Sequence, residues 1–387
     1  MTLPGFAPYQ AGRGDGGSML FGFRWVGRGA AALPFLLLLA DAPACAGGKS
    51  LHLANRPDFI ADDTIQKFEA ETGIEVTYDL YQTNEELLKA LRAGNKEGWD
   101  LVVAAAVPVL ARAGAEHLLQ PVQPDQLSND ANLDPEVLQA VAPYDPGNQL
   151  AVPYLWGTSG LAINVAALKA AMPDAPLDSL ALIFDPALAE RAAACGIAMA
   201  NTPEDDLPAV LSYLGLDPST EDEHALARAA ELLAKLKPIV KRLPVNDFID
   251  RLAAGKLCVG FGPSTVVSDA KSRAGEQDDG PDILYVIPKE HVRRWIDVLA
   301  IPANAADPDA ARTFIDYVLR PEIISDITDW TGAANPNILA PDFVDEDDKS
   351  DETVFPSDAS RPRLFLDKPR SPEAEKARAK LWARTGS

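Results

Sequence analysis

Cysteine and histidine are scarce in this chain of 387 residues, which contains three Cys and four His. The histidines (His52, His117, His224 and His291) lack the spacing of metal ligands, so we interpret them as surface or partly packed residues and predict no metal site. No phosphate-binding loop or dinucleotide fingerprint is present. Residues 262–266 come nearest to a nucleophile elbow but lack its final Gly, which argues against an enzyme and against a cofactor.

Positive charge is also in the minority, with 35 Lys and Arg against 57 Asp and Glu and a formal net charge of -22. Phosphate neutralisation needs clustered Lys and Arg, so we expect no nucleic-acid partner. The hydrophobic share of 47% and the charged share of 24% are those of an ordinary globular protein, which argues against extensive disorder. No repeat or low-complexity segment is visible.

Long hydrophobic runs are absent, since none approaches the roughly 20 residues that cross a bilayer. The apolar run Ala30–Ala40 follows Arg24 and Arg28 and precedes a small-residue cleavage pattern that ends at Ala46. This order predicts a secretory signal peptide at residues 1–46, so the mature protein is expected to be exported and soluble.

Two alternatives stay open at this end of the chain. Cys45 could carry a lipid anchor, although Pro43 stands where a lipobox has a small or hydroxylated residue. Met19 would be a more typical start for a signal sequence than Met1, which leaves open whether the first residues are translated.

Cys195 and Cys258 are the two cysteines that remain after the signal peptide. In an oxidising compartment such an isolated pair most simply forms one structural disulfide, worth roughly 2 to 4 kcal/mol. Neither belongs to a Cys-x-x-Cys motif, so no redox or zinc role is predicted.

Strand and helix patterns alternate from Leu51 onward. Ile74–Leu80 alternates apolar with polar residues, as in a strand with one wet face, whereas Leu101–Ala106 is continuously apolar, as in a buried parallel strand. Such alternation predicts an α/β fold. Exported α/β proteins without a reaction centre commonly capture solutes in a cleft between two lobes.

Further elements follow from local signals for helix starts and ends. Asp62 or Asp63 and Asn84 are predicted to cap helices, and Asp307 is predicted as an N-cap with Pro308 at the first helical position. The other predicted helices are Asp222–Leu236, Asn246–Ala254 and Ser371–Arg384; the other strands are Leu257–Gly260, Ile283–Ile287 and Trp295–Ile301; and the acidic run Asp345–Glu352 is a predicted surface loop.

Seven short stretches, taken in order, carry a resemblance to a known family. They are residues 58–61 (DFIA), 68–74 (FEAETGI), 100–103 (DLVV), 153–160 (PYLWGTSG), 258–260 (CVG), 287–290 (IPKE) and 297–298 (DV). This series resembles the periplasmic putrescine- and spermidine-binding proteins of ABC transporters, with the putrescine branch the more similar. The resemblance extends from about Leu51 to Trp382.

The resemblance implies a type II periplasmic solute-binding protein, with two lobes of mixed sheet flanked by helices and a hinge between them. Lobe 1 would comprise residues 49–155 and 282–335, and lobe 2 would comprise residues 156–281 and 336–387 with the C-terminal helix. It also implies a disulfide between the positions of Cys195 and Cys258, in agreement with the cysteine argument.

The binding residues implied by the resemblance suit a diamine, which needs carboxylates at its ends and aromatic faces along its methylenes. They are the carboxylates Asp58 and Asp297, a third acid at Glu204 or Asp205, and the aromatic walls Phe59 and Trp295. Asp58 could instead simply start a helix, and Glu204 could be a solvated loop charge.

Several pocket positions depart from the family pattern. Arg56 and Pro57 stand where the family has Trp and Ser, and Ala105 stands where it has Ser. Pro263 and Val266 replace the family's Trp and Asp, and Ala333 replaces a Tyr. Losing the partner of a buried charge costs about 2 to 5 kcal/mol, which puts tight putrescine binding in doubt. Arg56 in the cleft would repel an ammonium and could pair a carboxylate. If Arg56 points out of the cleft, other acidic residues would have to replace the family carboxylate that is missing here.

The functional expectation is a monomeric periplasmic protein that captures a putrescine-like amine and delivers it to an ABC permease in the inner membrane. Its specificity could be altered towards a monoamine, or towards an amine that carries a carboxylate near Arg56. The alternative is a diverged sensor subunit that reports ligand occupancy to a membrane signalling protein.

Overall fold

A computed structural model describes residues 49–385, so the predicted signal peptide lies outside the described residues. Within this range, no helix is long and apolar enough to cross a membrane. The strands are β1 (Ser50–Asn55), β2 (Glu75–Leu80), β3 (Leu101–Ala105), β4 (Leu119–Gln120), β5 (Ala151–Asn164), β6 (Ile197–Ala200), β7 (Lys241–Leu243), β8 (Val259–Pro263), β9 (Ile283–Val286), β10 (Val292–Pro302) and β11 (Leu364–Leu366). The α-helices are α1 (Thr64–Thr72), α2 (Asn84–Arg92), α3 (Ala111–Ala115), α4 (Pro135–Val141), α5 (Val165–Ala171), α6 (Ala181–Phe184), α7 (Pro186–Ala192), α8 (Pro203–Tyr213), α9 (Glu223–Leu236), α10 (Val245–Ala253), α11 (Ser264–Gly275), α12 (Pro308–Val318), α13 (Pro321–Thr331), α14 (Glu346–Ser350) and α15 (Pro372–Thr385).

The strands pair in the order β2-β1-β3-β10-β5-β8-β6-β7, with β4 and β11 beside β10 and β9 beside β5. Pairing is parallel between β1 and both β2 and β3, and between β6 and both β7 and β8. Pairing is antiparallel where β10 meets β3 and β5, and where β5 meets β8 and β9. This is the mixed sheet with flanking helices that the family resemblance predicts.

Two long strands join the two groups of parallel strands. β5 has 14 residues and β10 has 11, and every residue of both strands is buried. The first part of β5, from Ala151 to Thr158, pairs with β10, whereas Ser159 to Asn164 pair with β8 and β9. β5 therefore links the group around β1–β3 to the group around β6–β8.

Separate apolar cores form on either side of this link. One packs around the second half of β5 with β6 and β8, and its fully buried aromatic side chains include Phe184, Phe248 and Phe261. Another surrounds β1, β3 and the first part of β5. In that core, the ring of Phe68 meets Phe314 edge-on, with ring centroids 5.0 Å apart.

Local sequence signals locate several helix ends correctly. Asp63 is the N-cap of α1 and Gly73 ends the helix with a positive φ of 70°, a conformation that Gly adopts without strain. Asp307 caps α12 through its side chain, as predicted, and Asp222, the first residue of a predicted helix, caps α9 in the same way. Ser371 caps α15, because its Oγ accepts a hydrogen bond from the backbone N–H of Ala374 at 3.2 Å.

Other predicted boundaries are wrong by small amounts. The N-cap of α2 is Thr83 rather than Asn84, because the Thr83 hydroxyl accepts a hydrogen bond from the N–H of Glu86 at 3.1 Å. The acidic run contains the short helix α14, whose first turn is acidic and therefore suits the positive end of the helix dipole. β8 ends at Pro263 rather than at Gly260, and β10 begins at Val292 rather than at Trp295, so both strands extend further towards the cavity than predicted.

The predicted disulfide is confirmed. Cys195, in a 3₁₀ turn after α7, bonds to Cys258, directly before β8, with the two Cα atoms 5.5 Å apart. The bond fastens the end of α7 to the start of a central strand.

We expect Asp307→Ala to lower the free energy of unfolding by about 1 kcal/mol, because Asp307 Oδ1 accepts a hydrogen bond from the N–H of Ala310 at 2.9 Å. Urea unfolding followed by circular dichroism measures the change. Asp63→Ala is a matched control, since Asp63 is also an N-cap but its side chain makes no capping hydrogen bond. Its expected change is within about 0.5 kcal/mol, and equal losses in both variants would contradict the capping argument.

Candidate functional site

A cavity of about 440 Å³ opens where several strands reach their carboxyl ends. In open α/β sheets, ligands bind outside the carboxyl ends of the strands, which makes this cavity the candidate binding site. Its walls come from the loop after β1, the loop before α2, the end of β3, the start of α8, the junction of β8 with α11, and one face of β10. The lining residues are Arg56, Phe59, Gln82, Thr83, Asn84, Ala105, Thr202, Pro203, Glu204, Asp205, Pro263, Thr265, Val266, Arg293, Trp295 and Asp297.

Most of the site residues predicted from sequence come together here. The six that line the cavity are Arg56, Phe59, Glu204, Asp205, Trp295 and Asp297. Asp58 does not line the cavity; its side chain is exposed, and its backbone has a positive φ of 59° in the turn after β1. The family pattern predicts Asp58 in the cavity wall. The structure instead places it in a turn outside the lining residues.

Arg56 points into the cavity and forms an ion pair with Asp297. The Nη2 atom of Arg56 contacts Oδ2 of Asp297, whose side chain is only 1% exposed. The guanidinium carbon also lies 4.2 Å from the centre of the Phe59 ring, in a cation–π arrangement. The carboxylate expected to receive a ligand ammonium is therefore already paired with a cation of the chain itself.

The loop that carries Arg56 is held by three hydrogen bonds. The backbone N–H of Arg56 donates to Asn55 Oδ1 at 2.7 Å. The carbonyl of Phe59 accepts hydrogen bonds from Asn55 Nδ2 at 3.2 Å and from the Tyr154 hydroxyl at 2.9 Å. This bracing places the Arg56 and Phe59 side chains against the cavity.

A second buried ion pair involves Asp205 and Arg293. Oδ1 of Asp205 accepts hydrogen bonds from Arg293 Nη1 at 2.9 Å and from Ser159 Oγ at 2.7 Å. Arg293 Nε also lies 3.5 Å from Oδ2 of Asp367, so one guanidinium bridges two carboxylates. Burial lowers the pKa of Arg293, but Asp205 and Asp367 outweigh burial and the net shift is upward, which keeps this Arg charged.

Glu204 differs from the other two acids of the cavity wall, because it forms no ion pair with any described residue. Its side chain remains exposed to solvent at the start of α8. The surrounding protein raises the pKa of Glu204 by desolvation, and Asp205 adds to the rise, while its backbone N–H and Arg293 oppose it. Glu204 is the lining carboxylate that remains available to a cationic solute.

Trp295 and Phe59 form an aromatic corner, with ring centroids 6.1 Å apart and planes tilted by 56°. The Trp295 indole packs directly against β5 at Gly157, where a Cβ atom would collide with the ring. Gly157 is therefore required for this position of the indole. The buried Nε1 of Trp295 has no hydrogen-bond partner among the described residues.

The departures from the family pattern are distributed unevenly around the cavity. Ala105, Pro263 and Val266 line it, so these positions provide neither a carboxylate nor an aromatic ring. Pro57 and Ala333 lie outside the lining residues, and Ala333 is fully buried in a core.

The elbow-like segment does not present a nucleophile. Ser264 is fully buried, and its Oγ accepts a hydrogen bond from the backbone N–H of Thr158 at 3.3 Å. Between residues 49 and 385, no group of three or more His, Cys, Asp or Glu side chains is placed to hold a metal ion. His52 is half-buried beside Asp79, with Nε2 and Oδ2 2.8 Å apart.

Sequence reasoning missed Arg293 and the polar residues Gln82, Thr83, Asn84, Thr202 and Thr265. A signal for Arg293 exists, because alternate residues of a strand share a face and Arg293, Trp295 and Asp297 are spaced by two. Gln82 and Thr83 follow the carboxyl end of β2, where the same sheet rule that locates the cavity would have placed them.

The fold and its cavity define a solute-binding protein. Residues 63–355 match the family described as bacterial extracellular solute-binding protein, and the chain belongs to this family. It is accordingly a solute-binding protein and not an enzyme, as predicted.

Within this family, the chain belongs to the periplasmic polyamine-binding proteins of ABC transporters. It is 37% identical to the putrescine-binding periplasmic protein PotF of Escherichia coli strain K12, over 91% of this chain and 95% of that protein. It is 36% identical to the putrescine-binding periplasmic protein SpuD of Pseudomonas aeruginosa strain UCBPP-PA14, over 90% and 95%. The resemblance of the seven motifs is therefore confirmed.

Solved structures share the fold. The spermidine/putrescine ABC transporter substrate-binding protein PotD of Streptococcus pneumoniae aligns with a TM-score of 0.73 and 23% identity, over 87% of this chain and 98% of that chain. The lipoprotein Tp0655 (TpPotD) of Treponema pallidum aligns with a TM-score of 0.73 and 24% identity, over 87% and 99%.

Proposed function

We propose that this protein captures a small aliphatic amine in the periplasm and delivers it to the permease of an ABC transporter. The observation that carries the proposal is Glu204, a cavity carboxylate that no described cation pairs. A desolvated ammonium needs a carboxylate partner, and an aromatic wall such as Trp295 attracts cations and covers methylene groups. Relatives named as putrescine-binding periplasmic proteins support the same solute class.

Capture would proceed by closure of two lobes about a hinge. We assign residues 49–155 and 282–335 to one lobe and residues 156–281 and 336–387 to the other. The cavity wall takes residues from both groups of strands, which supports closure around a solute. The protein would act as a monomer, exported by cleavage after Ala46, and its net charge of -22 supports a role without nucleic acid.

The test uses protein purified from the periplasm and refolded to remove co-purified solute, with the intact mass reporting the cleavage site. In calorimetric titrations with straight-chain monoamines, diamines and ω-amino acids, we expect at least one solute to bind with a Kd of about 1 μM or less. Glu204→Gln should weaken that binding about 10-fold, because it removes the charge that pairs the ammonium.

Glu223→Gln is the matched control, since Glu223 is an exposed acid in the first turn of another helix, α9, and does not line the cavity. It should leave the Kd unchanged. The proposal fails if the refolded protein binds no amine, or if both Gln variants change the affinity equally.

A further inference from the structure

We infer that the ligand carries one ammonium group and one carboxylate, as an ω-amino acid does, and that Arg56 selects it over a diamine. The inference rests on the proposed function, because it takes capture of an amine by this cavity as given. The carboxylate is the end of the ligand that lies away from Glu204.

The charge of the cavity wall favours a ligand with a single ammonium group. Three acids and two arginines line it, and two of the acids are already neutralised, Asp297 by Arg56 and Asp205 by Arg293. A diamine brings two ammonium groups, but only Glu204 lacks a cationic partner. A second ammonium would have to displace an arginine from a buried carboxylate.

Two buried hydrogen-bond donors of the cavity wall lack acceptors among the described residues. Arg56 Nε and Trp295 Nε1 are buried, belong to lining side chains and have no partner among residues 49–385. Both side chains pack against the Phe59 ring, so the two side chains share one corner of the cavity, beside the buried Oδ2 of Asp297 that Arg56 pairs. An ammonium group can only donate, whereas a carboxylate accepts from both N–H groups. The corner therefore suits an oxygen anion.

Arg56 can bind a ligand carboxylate without releasing Asp297. A guanidinium has five N–H donors, enough for two carboxylates. Arg293 already lies between two carboxylates in this molecule, with a hydrogen bond from Nη1 to Asp205 at 2.9 Å and an ion-pair contact, without a hydrogen bond, from Nε to Asp367 at 3.5 Å. Arg56 can bind in the same way, with Asp297 on one side and the ligand carboxylate on its free Nε side.

The Glu204 side of the cavity suits the ammonium end of the ligand. Thr202 Oγ1 is a buried atom without a partner in the described chain, and it lies two residues before Glu204. The three N–H groups of an ammonium can bond to the Glu204 carboxylate and the Thr202 hydroxyl together. Asn84 Oδ1, a second buried acceptor without a described partner, lines the same cavity.

The experiment compares matched sets of three to six carbons, each containing the diamine, the ω-amino acid and the simple alkylamine. In calorimetric titrations, we expect the amino acid of the best-fitting length to bind at least about 10-fold more tightly than its diamine. Tighter binding of the diamine in every set would overturn this inference and leave the proposed function standing. Binding of no compound would overturn both.

Arg56→Gln tests the assignment of the carboxylate end. We expect it to weaken binding of the amino acid about 30-fold and to strengthen binding of the diamine about 10-fold, because the variant frees Asp297 for an ammonium. Arg56→Lys keeps the charge but loses the planar fork, so its affinity for the amino acid should be intermediate. Glu204→Gln is the matched control, because it should weaken the binding of all three compounds alike.

A double variant keeps the test valid if the single variant Arg56→Gln fails to fold. Arg56→Gln leaves Asp297 buried without its partner, whereas Arg56→Gln with Asp297→Asn removes both charges. We expect the double variant to fold and still to lose the preference for the amino acid over the alkylamine. Retention of the wild-type preference in either variant would show that Arg56 does not select the ligand.

Discussion

Arg293→Leu is expected to lower the free energy of unfolding by about 3 to 5 kcal/mol. The substitution leaves Asp205 buried, at 5% exposure, without its cationic partner, whereas Asp367 keeps its ion pair with Arg370. Attraction within a buried ion pair contributes little net stability, but removing one partner leaves the other charge desolvated. Urea unfolding followed by tryptophan fluorescence measures the loss.

Arg273→Leu provides the matched control. Arg273 also pairs with two aspartates, Asp250 and Asp269, but all three side chains are at least 41% exposed. Exposed pairs are worth about 0 to 1 kcal/mol, so the same substitution here should cost no more than that. If Arg273→Leu were as damaging as Arg293→Leu, burial would not be the cause of the loss.

Replacing both Cys195 and Cys258 with Ser is expected to lower the free energy of unfolding by about 2 to 5 kcal/mol. The bond closes a loop with a sequence separation of 63, and for a loop of this size chain entropy alone gives about 4 kcal/mol. Chemical unfolding of the variant beside the oxidised protein measures the difference.

Wild-type protein that is reduced while unfolded and refolded in reductant is the control for this variant. It should match the double Ser variant, because both lack the bond but only one differs in sequence. Equal stability of the oxidised and reduced proteins would contradict the prediction.

The sequence predicts best those features that depend on neighbouring residues. The start of α9 near Asp222 and the cap of α12 at Asp307 follow from local signals, and the strand patterns follow from the alternation of apolar residues. The error at Asn84 is also local, because Thr83, one position earlier, is another residue type that commonly caps helices.

Features that join distant segments could be predicted only in part. The family pattern identifies Trp295 and Asp297 as site residues. The sequence alone leaves both orientations of Arg56 open, because its partner Asp297 lies far along the chain, on β10. Arg293 was missed because an Arg in a buried strand breaks the apolar pattern, and its partners come from α8 and from the segment before α15.

Arg56 competes with any cationic solute for the Asp297 carboxylate. A group tethered next to its partner has an effective concentration in the millimolar range or above, and dilution does not reduce it. Stray cations at micromolar concentrations therefore leave the Arg56–Asp297 pair intact. On the selection by Arg56 that we infer, a solute would enter the cavity only by offering interactions that a bare positive charge lacks, and simple cations would be excluded before transport.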